Sequence, residues 1–505
     1  MPEAEIKDIP EKFKKKNLAK ELLDVIPIEL IREFKAFVFD KENGTIHIGA
    51  VDHELEALQQ YLKNTFSGKV IWYKVKEEDV NFILDNYARD FKEEILSLLK
   101  TDIKKKGLIS DVIDLTISYA LVQKVSDVHI EPTAEEIQVR FRIDGMLYKM
   151  FSIPLSLQSE LITRFKVLAN LKIDESRRPQ EGRIERKLFA GILLRVSIVP
   201  TLFGEKVVMR VMDDSNKNLE LADLGFSEQH REIILKNIDK PYGMILVSGP
   251  TGSGKTTTLY SLLQLLKKDG INISTLEDPI EYALKGVNQI QINKRVALDF
   301  STGLRALLRQ DPDVIMVGEV RDSETAIMAS DAAMTGHLVF STVHTNNAPS
   351  VFVRLMEMGV EDFVIASTIN FIIAQRLVRR VCPDCAEKRP LDEAIVKKVL
   401  NHRGILSVLE QKYHMNEDAL RGATFSTGVG CDTCIQSGYS GRIGIYELLD
   451  VNKKIHDMIL AKKPAADIKE ALKESGYVDM VEDGVSKVME GVTTFTEVIR
   501  TTKDT

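Results

Sequence analysis

Gly249-Pro-Thr-Gly-Ser-Gly-Lys255-Thr256 decides how the rest of the chain is read. It fits the pattern G-x-x-x-x-G-K-[ST]. A short apolar run, Tyr242–Ser248, precedes it, and Leu259, Leu262, Leu263 and Leu266 follow at helical spacing. Strand, glycine turn and helix N-terminus in that order make an anion cradle. Gly252 and Gly254 let successive N–H groups turn toward one phosphate, and the helix dipole adds to them. Lys255 is placed to reach the β- and γ-phosphates, and the Thr256 hydroxyl to ligate Mg²⁺. The expected ATP contact is therefore Gly249, Pro250, Thr251, Gly252, Ser253, Gly254, Lys255 and Thr256, with Thr257 beside them. A glycine-rich turn that binds nothing is the alternative, and the flanking strand and helix argue against it.

Beyond the loop the chain alternates strand and helix. Asn272–Asp278 reads as a strand ending in two acids, Glu277 and Asp278, and Asp313–Glu319 as a buried strand ending in a third. Ligands of open α/β sheets bind at the carboxyl ends of the strands, so these acids face the nucleotide crevice. Glu319 is expected to orient or deprotonate the attacking water, and Glu277 or Asp278 to hold the Mg²⁺ shell. Asp322 and Glu324 are more simply helix caps. A third strand, His337–His344, carries histidines at both ends. A lone histidine is usually structural, but His344 stands at the end where it can hydrogen-bond the γ-phosphate, and His337 at the end where it can bridge to another element.

The chain has 505 residues and a net charge of −7, which speaks against a dedicated nucleic-acid binder without excluding a local basic groove. The longest apolar candidate for a membrane span, Phe363–Ala374, is interrupted by Ser367, Thr368 and Asn370, and the N-terminus has no apolar core behind a basic start. A cytosolic location is expected. The four cysteines form two knuckles, Cys382-Pro-Asp-Cys385 and Cys431-Asp-Thr-Cys434, the spacing of a closed tetrahedral zinc site. A redox pair or four inert thiols are the alternatives. With four thiolates and no open position, the metal would staple a subdomain rather than catalyse.

Five segments are expected. Residues 1–100 hold a small α/β unit with strands Ala36–Phe39, Thr45–Gly49 and Lys69–Tyr73, a turn at Glu42-Asn43-Gly44 and a helix Leu55–Leu62. His47 and Trp72 read there as packing residues, and the unit as an adaptor. After a charged linker, Lys100–Gly107, residues 105–215 carry helices Ile109–Gln123 and Pro154–Leu171 and strands Ile137–Arg142, Ile184–Phe189, Ile192–Val199 and Lys206–Met212. This segment holds Arg140, Arg142, Arg177, Arg178, Arg183, Arg195 and Arg210; the last two lie in strand patterns beside apolar residues, where a loose surface charge is less expected. A hinge is expected at Met212–Ser227. Residues 221–381 form the ATPase core, 382–436 the tetracysteine insert, and 437–505 a strand, Gly438–Leu449, with helices at Asp467–Leu472 and Met480–Met489.

Gly249–Thr256, Thr275-Leu-Glu-Asp-Pro-Ile-Glu281, Leu304–Asp322 and Thr335–Thr345 follow one another in order. They resemble the Walker A, Asp box, Walker B and His box of the type II secretion and type IV pilus assembly ATPases. The resemblance runs through nearly all of 105–450, including Ser126-Asp-Val-His-Ile-Glu-Pro132, Arg178–Arg183 and Phe203-Gly-Glu-Lys206. It implies an α/β fold: a RecA-like P-loop NTPase domain preceded by a PAS-like α/β domain and a small N-terminal α/β domain, with a zinc-binding insert. It implies a homohexameric motor that hydrolyses ATP with Mg²⁺, peripheral at the cytoplasmic face of the inner membrane. Its partners would be an inner-membrane platform protein and a cytoplasmic adaptor, with no nucleic acid. Arg195 and Arg210 match arginines that reach the nucleotide phosphates, and Arg183 is a secondary candidate. Residues 1–100 match the family's variable N-terminal domain only loosely. Secretion and pilus-extension members commonly carry the tetracysteine insert and retraction members lack it, which points to pilus assembly, with type II secretion as the alternative. A nucleic-acid translocase and a non-catalytic nucleotide-dependent scaffold are the rivals from other classes.

Overall fold

The computed structural model describes residues 34–42, 44–51, 56–66, 68–100, 107–185, 193–212, 219–473 and 477–503, with short pieces at 7–8, 22, 25–26 and 30–31. The chain divides into two compact units, residues 1–215 and 216–505. The expected linker at Lys100–Gly107 falls largely outside the described residues; of the expected hinge at Met212–Ser227 only 213–218 do, and Leu221–Leu224 forms a short helix.

Among the described residues the first unit holds two sheets. Strands β1 (Lys7–Asp8), β2 (Ala36–Glu42), β3 (Thr45–Ala50) and β4 (Lys69–Lys74) form the smaller, in the order β1-β4-β3-β2. Helix α1 (Glu56–Thr65) joins β3 to β4, and α2 (Glu77–Lys100) follows. His47 packs as expected, its Nδ1 3.0 Å from the Tyr73 hydroxyl. After α3 (Leu108–Val122) comes an antiparallel sheet of β5 (Asp127–Pro132), β6 (Glu136–Ile143), β7 (Met146–Pro154), β8 (Gln180–Glu185), β9 (Leu193–Thr201) and β10 (Gly204–Met212), ordered β7-β6-β5-β10-β9-β8. The helix expected from Pro154 to Leu171 is shorter. Pro154 ends β7, and α4 runs only over Gln158–Leu168, because Met146–Ile153 pairs with β6 and carries the chain to the proline as strand. The strand expected over Ile184–Phe189 lies earlier, at β8; residues 186–192 are outside the described set.

The second unit is built on a seven-stranded sheet. Helix α5 (Glu228–Ile238) leads into β11 (Gly243–Ser248), α6 (Lys255–Leu266), β12 (Ile273–Glu277), β13 (Asn288–Gln291), α7 (Phe300–Leu307), β14 (Val314–Val317), α8 (Ser323–Met334) and β15 (Leu338–Val343). Then come α9 (Ser350–Glu357), α10 (Asp362–Thr368), β16 (Ile369–Val381) and, after the insert, β19 (Tyr439–Asp450). The order is β13-β12-β14-β15-β11-β16-β19, parallel except for the last pair. All six residues of β11 are buried, and they alternate between two cores: Met244 and Leu246 pack on one face of the sheet, Ile245 and Val247 on the other. A sheet covered on both faces by helices explains why its strands read as continuous apolar runs. Phe363–Ala374 divides between α10 and β16. Among the described residues no helix is long and apolar enough to cross a membrane.

The insert pairs β17 (Ala386–Pro390) with β18 (Thr424–Gly428), and holds α11 (Glu393–Asn401), α12 (Arg403–Tyr413) and α13 (Glu417–Gly422) between them. After β19 come α14 (Lys453–Leu460), α15 (Ala465–Lys473), α16 (Met480–Met489) and α17 (Phe495–Thr501). Val396, Val399, Ile405 and Leu409 of the insert share one core with Val485 and Val488 of α16 and Phe495 and Val498 of α17. The insert and helices α16 and α17 thus share one core.

Candidate nucleotide site and metal centre

Buried β11 delivers the chain to the glycine loop at the carboxyl end of the sheet, and α6 starts at Lys255. All three loop glycines, Gly249, Gly252 and Gly254, have positive φ. Gly254 has φ 86°, a left-handed conformation that side chains resist, and a Cβ on Gly249 (φ 147°) would stand 2.5 Å from the Gln375 carbonyl oxygen. Lys255 curls over the loop, its Nζ donating to the carbonyls of Gly249 (2.8 Å) and Pro250 (3.1 Å). Burial lowers its pKa to about 8, with Glu319 pulling it up and Arg321 down. The Ser253 hydroxyl is buried in the loop without a hydrogen-bond partner. Lysine, glycine turn, helix start and unpaired hydroxyl together suit an anionic ligand.

The strand-end residues gather beside it. Glu319, just past β14, has its Oε2 2.5 Å from Arg321 Nε and 3.5 Å from His344 Nε2, at the end of β15. The His344 pKa is lowered, first by burial and then by Lys255, against the pull of Glu319, so the ring is neutral at pH 7. Glu277, at the end of β12, is buried: its Oε1 accepts from Thr275 (2.6 Å) and Gln289 (3.1 Å), and its Oε2 from the Tyr260 hydroxyl. Asp278 is the solvent-facing acid of that pair, 3.9 Å from Lys294 Nζ. Asp322 caps α8, accepting from the Thr325 N–H at 2.9 Å, and Glu324 pairs with Arg305 at 3.0 Å. His337 Nδ1 contacts the Ala332 carbonyl at 3.0 Å, bridging to α8. Two residues that sequence reasoning passed over belong here. Arg321 stood inside the quoted Walker B stretch. Gln375 stood as one polar residue after an apolar run, a weak but real signal.

In the first unit, cross-strand register sets Arg183, Arg195, Arg210, Asp127 and Arg142 in one row over β8, β9, β10, β5 and β6. Opposed residues in an antiparallel sheet project to the same face, so the row is a band of four cations around one acid. Arg210 Nε holds Asp127 Oδ1 at 2.9 Å, whereas Arg195 reaches Glu181 only at 3.6 Å.

The cysteines converge although 45 residues separate the knuckles. Their sulfurs all lie within 4.8 Å of one another, at 3.8 Å for Cys382–Cys431, 3.9 Å for Cys385–Cys434 and 3.7 Å for Cys431–Cys434. Four thiolates at ~2.3 Å from a tetrahedral ion stand ~3.8 Å apart, so the set fits a metal ion of that kind. Backbone N–H groups already serve the sulfurs: Gly430 donates to Cys385, and Cys431 and Gly438 to Cys434. Burial opposes ionisation of Cys434, but these two N–H groups and the neighbouring thiols bring its pKa down to about 7.

A glycine loop ending a buried parallel strand, with strand-end acids beside it, defines a P-loop nucleotide-binding domain. Residues 102–500 match the family of type II/IV secretion system proteins, and the chain belongs to that family. It is 43% identical over 393 residues to the type IV pilus assembly ATPase PilB of Myxococcus xanthus, a match covering 77% of this chain and 67% of that one. It is 44% identical over 381 residues to PilB of Pseudomonas aeruginosa, covering 75% of this chain and 65% of that one. The type II secretion system protein E of Aeromonas hydrophila is 41% identical over 394 residues, covering 78% and 75%. Among solved structures, the Legionella pneumophila ATPase DotB superposes with a TM-score of 0.55 at 21% identity, covering 76% of this chain and 94% of that one. The pilus retraction motor PilT with bound ADP gives 0.52 at 24%, covering 77% and 96%. Both show the shared fold.

Proposed function

We propose that the chain is an ATPase motor of a type IV pilus assembly machine. The observation that carries this reading is the convergence of Lys255, Glu319 and His344 at the ends of β11, β14 and β15, in a chain whose pilus relatives are named assembly ATPases. ATP binds with its phosphates on the Gly249–Thr256 loop, Thr257 lying next to it on α6. Lys255 leaves the loop carbonyls for the β- and γ-phosphates. Thr256, with Asp278 facing the same crevice, would hold Mg²⁺, which when bound neutralises phosphate charge. Glu319 takes the proton of the attacking water, held in place by Arg321 and the neutral His344. Glu277, fixed by three donors, acts as the rigid anchor of the β12 end.

Arg195 and Arg210, supplied by a neighbouring subunit, complete the charge clamp on the γ-phosphate, with Arg183 in the same row. Loss of the γ-phosphate releases the clamp, and that release drives domain rotation in a homohexamer. The cysteine centre holds zinc and staples the insert. A peripheral position at the cytoplasmic face of the inner membrane, with a platform protein and a cytoplasmic adaptor as partners and residues 1–100 as an N-terminal adaptor domain, follows from the same reading. A type II secretion motor is the second reading, favoured by the 41% identity to a secretion system protein E.

The test is made in cells whose sole copy carries Glu319→Gln. Loss of surface filaments, counted by electron microscopy, supports pilus assembly. Filaments at wild-type number with secreted proteins held inside support the secretion reading instead.

A further inference from the structure

Gln375 is a polar side chain set in the sheet beneath the glycine loop, only 1% exposed. It lies on β16, one residue past Ala374, the register partner of Ser248 at the end of β11. Its amide spans the loop and the helix that follows it. Nε2 donates to the Ser253 carbonyl at 2.7 Å, and Oε1 accepts from the Thr258 hydroxyl at 2.8 Å. Ser253 belongs to the loop and Thr258 to the first turn of α6, so one side chain ties the loop to its helix. A burial this deep is costly for an amide unless both ends are used, and both are.

The consequence concerns one peptide. In a trans peptide the C=O and the following N–H point in opposite directions. By holding the Ser253 oxygen, Gln375 turns the Gly254 N–H away from the sheet and toward the cradle. Gly254 is free to accept either orientation of that peptide, because glycine at φ 86° is not held by a Cβ. Another group must therefore choose. We infer that Gln375 is a positioning residue for nucleotide binding: it presets the Ser253–Gly254 peptide so that the loop meets the phosphates with its N–H donors already aligned. The role rests on the nucleotide reading of the loop, and it is one of preorganisation, since Gln375 itself reaches the ligand through Ser253 and Gly254.

Gln375→Glu separates positioning from packing. Its shape matches the native amide, but an ionised carboxylate cannot donate to the Ser253 oxygen, whereas the protonated acid can. Binding of a fluorescent ADP analogue to the full chain is measured from pH 8.5 to pH 6, with wild type as reference for the titration of Lys255 and His344 nearby. The expected result is a loss of about tenfold in affinity at pH 8.5, shrinking relative to wild type as pH falls. Thr258→Val, which keeps the volume and removes the second tie, should weaken binding by a smaller factor at every pH. Affinity of Gln375→Glu within about twofold of wild type at pH 8.5 overturns the role. A Gln375→Glu protein that no longer melts cooperatively leaves the decision to Thr258→Val, whose unchanged affinity also overturns it. Wild type that binds no ADP at all overturns the nucleotide reading instead.

Discussion

The imidazole Nε2 of His344 stands 3.5 Å from the Oε2 of Glu319, and Arg321 Nε takes the same oxygen at 2.5 Å. One carboxylate oxygen is thus oriented from two sides while its partner oxygen remains for a water. Glu319→Gln keeps the shape and removes the base. ATP turnover, read as phosphate release, is expected to fall about 10²- to 10⁴-fold with nucleotide binding retained. Unchanged turnover would assign the base elsewhere.

Lys255 makes nucleotide affinity pH-dependent. In the free protein its pKa is about 8, lowered by burial. Bound phosphate favours the charged amine and raises that value, so binding takes up a proton near pH 8. Affinity for ADP should be greatest below pH 8 and decline as pH rises above it. Calorimetry in buffers of different ionisation enthalpy measures the uptake; identical heats across buffers at pH 8 exclude it.

Arg195 and Arg210 are register partners on β9 and β10. Two adjacent guanidinium groups repel unless an anion comes between them. Substituting either by alanine is expected to lower ATP turnover about a hundredfold or more while the chain still binds ADP. Full turnover in both variants would leave the row a surface feature.

The cysteine centre should carry one zinc per chain by elemental analysis. Cys431→Ser, or a strong chelator, should release the metal and lower the melting temperature by about 5 °C or more, because metal binding is folding free energy for a small insert. Hydrogen exchange should rise between residues 386 and 428. A metal-free wild type with the same melting temperature would make the thiols inert.

Glu447 is buried on β19, accepting the Ala348 N–H at 3.2 Å and the Tyr477 hydroxyl. Burial raises its pKa above the usual 4.5, against the pull of Tyr477, Lys469 and Ala348 and with Asp479 pushing the same way. A raised folded pKa means the stability it contributes is fully present below about pH 4.5 and is lost as pH climbs through the folded value. Glu447→Gln removes that loss. Relative to wild type, its melting temperature should gain between pH 5 and pH 8. A variant that loses ground as pH rises contradicts this sign.

Much of the site was legible because its parts are local. The glycine loop, the strand-end acids and the C-x-x-C knuckles each lie within a few residues, and the physics that gives them meaning acts over that range. The helix expected at Met480–Met489 is observed as α16 because its apolar positions keep helical period, and Asp479 caps it in the structure. The Pro154–Leu171 segment was misjudged for a related reason: a helix-compatible pattern after a proline says nothing of the strand pairing that precedes it.

By itself, the sequence determined that a glycine loop with the pattern of an anion cradle lies at Gly249–Thr256, that acids end two apolar strands, and that four thiols are spaced for a metal. Those are statements about bond geometry over a few residues. Only the tertiary structure decided which distant groups meet. It set Gln375 under the loop, Arg321 and His344 on one oxygen of Glu319, three donors on Glu277, and Arg183, Arg195 and Arg210 in one row. Strand order and register bring those groups together across more than a hundred residues in some cases, and no periodicity along the chain encodes which strand becomes whose neighbour.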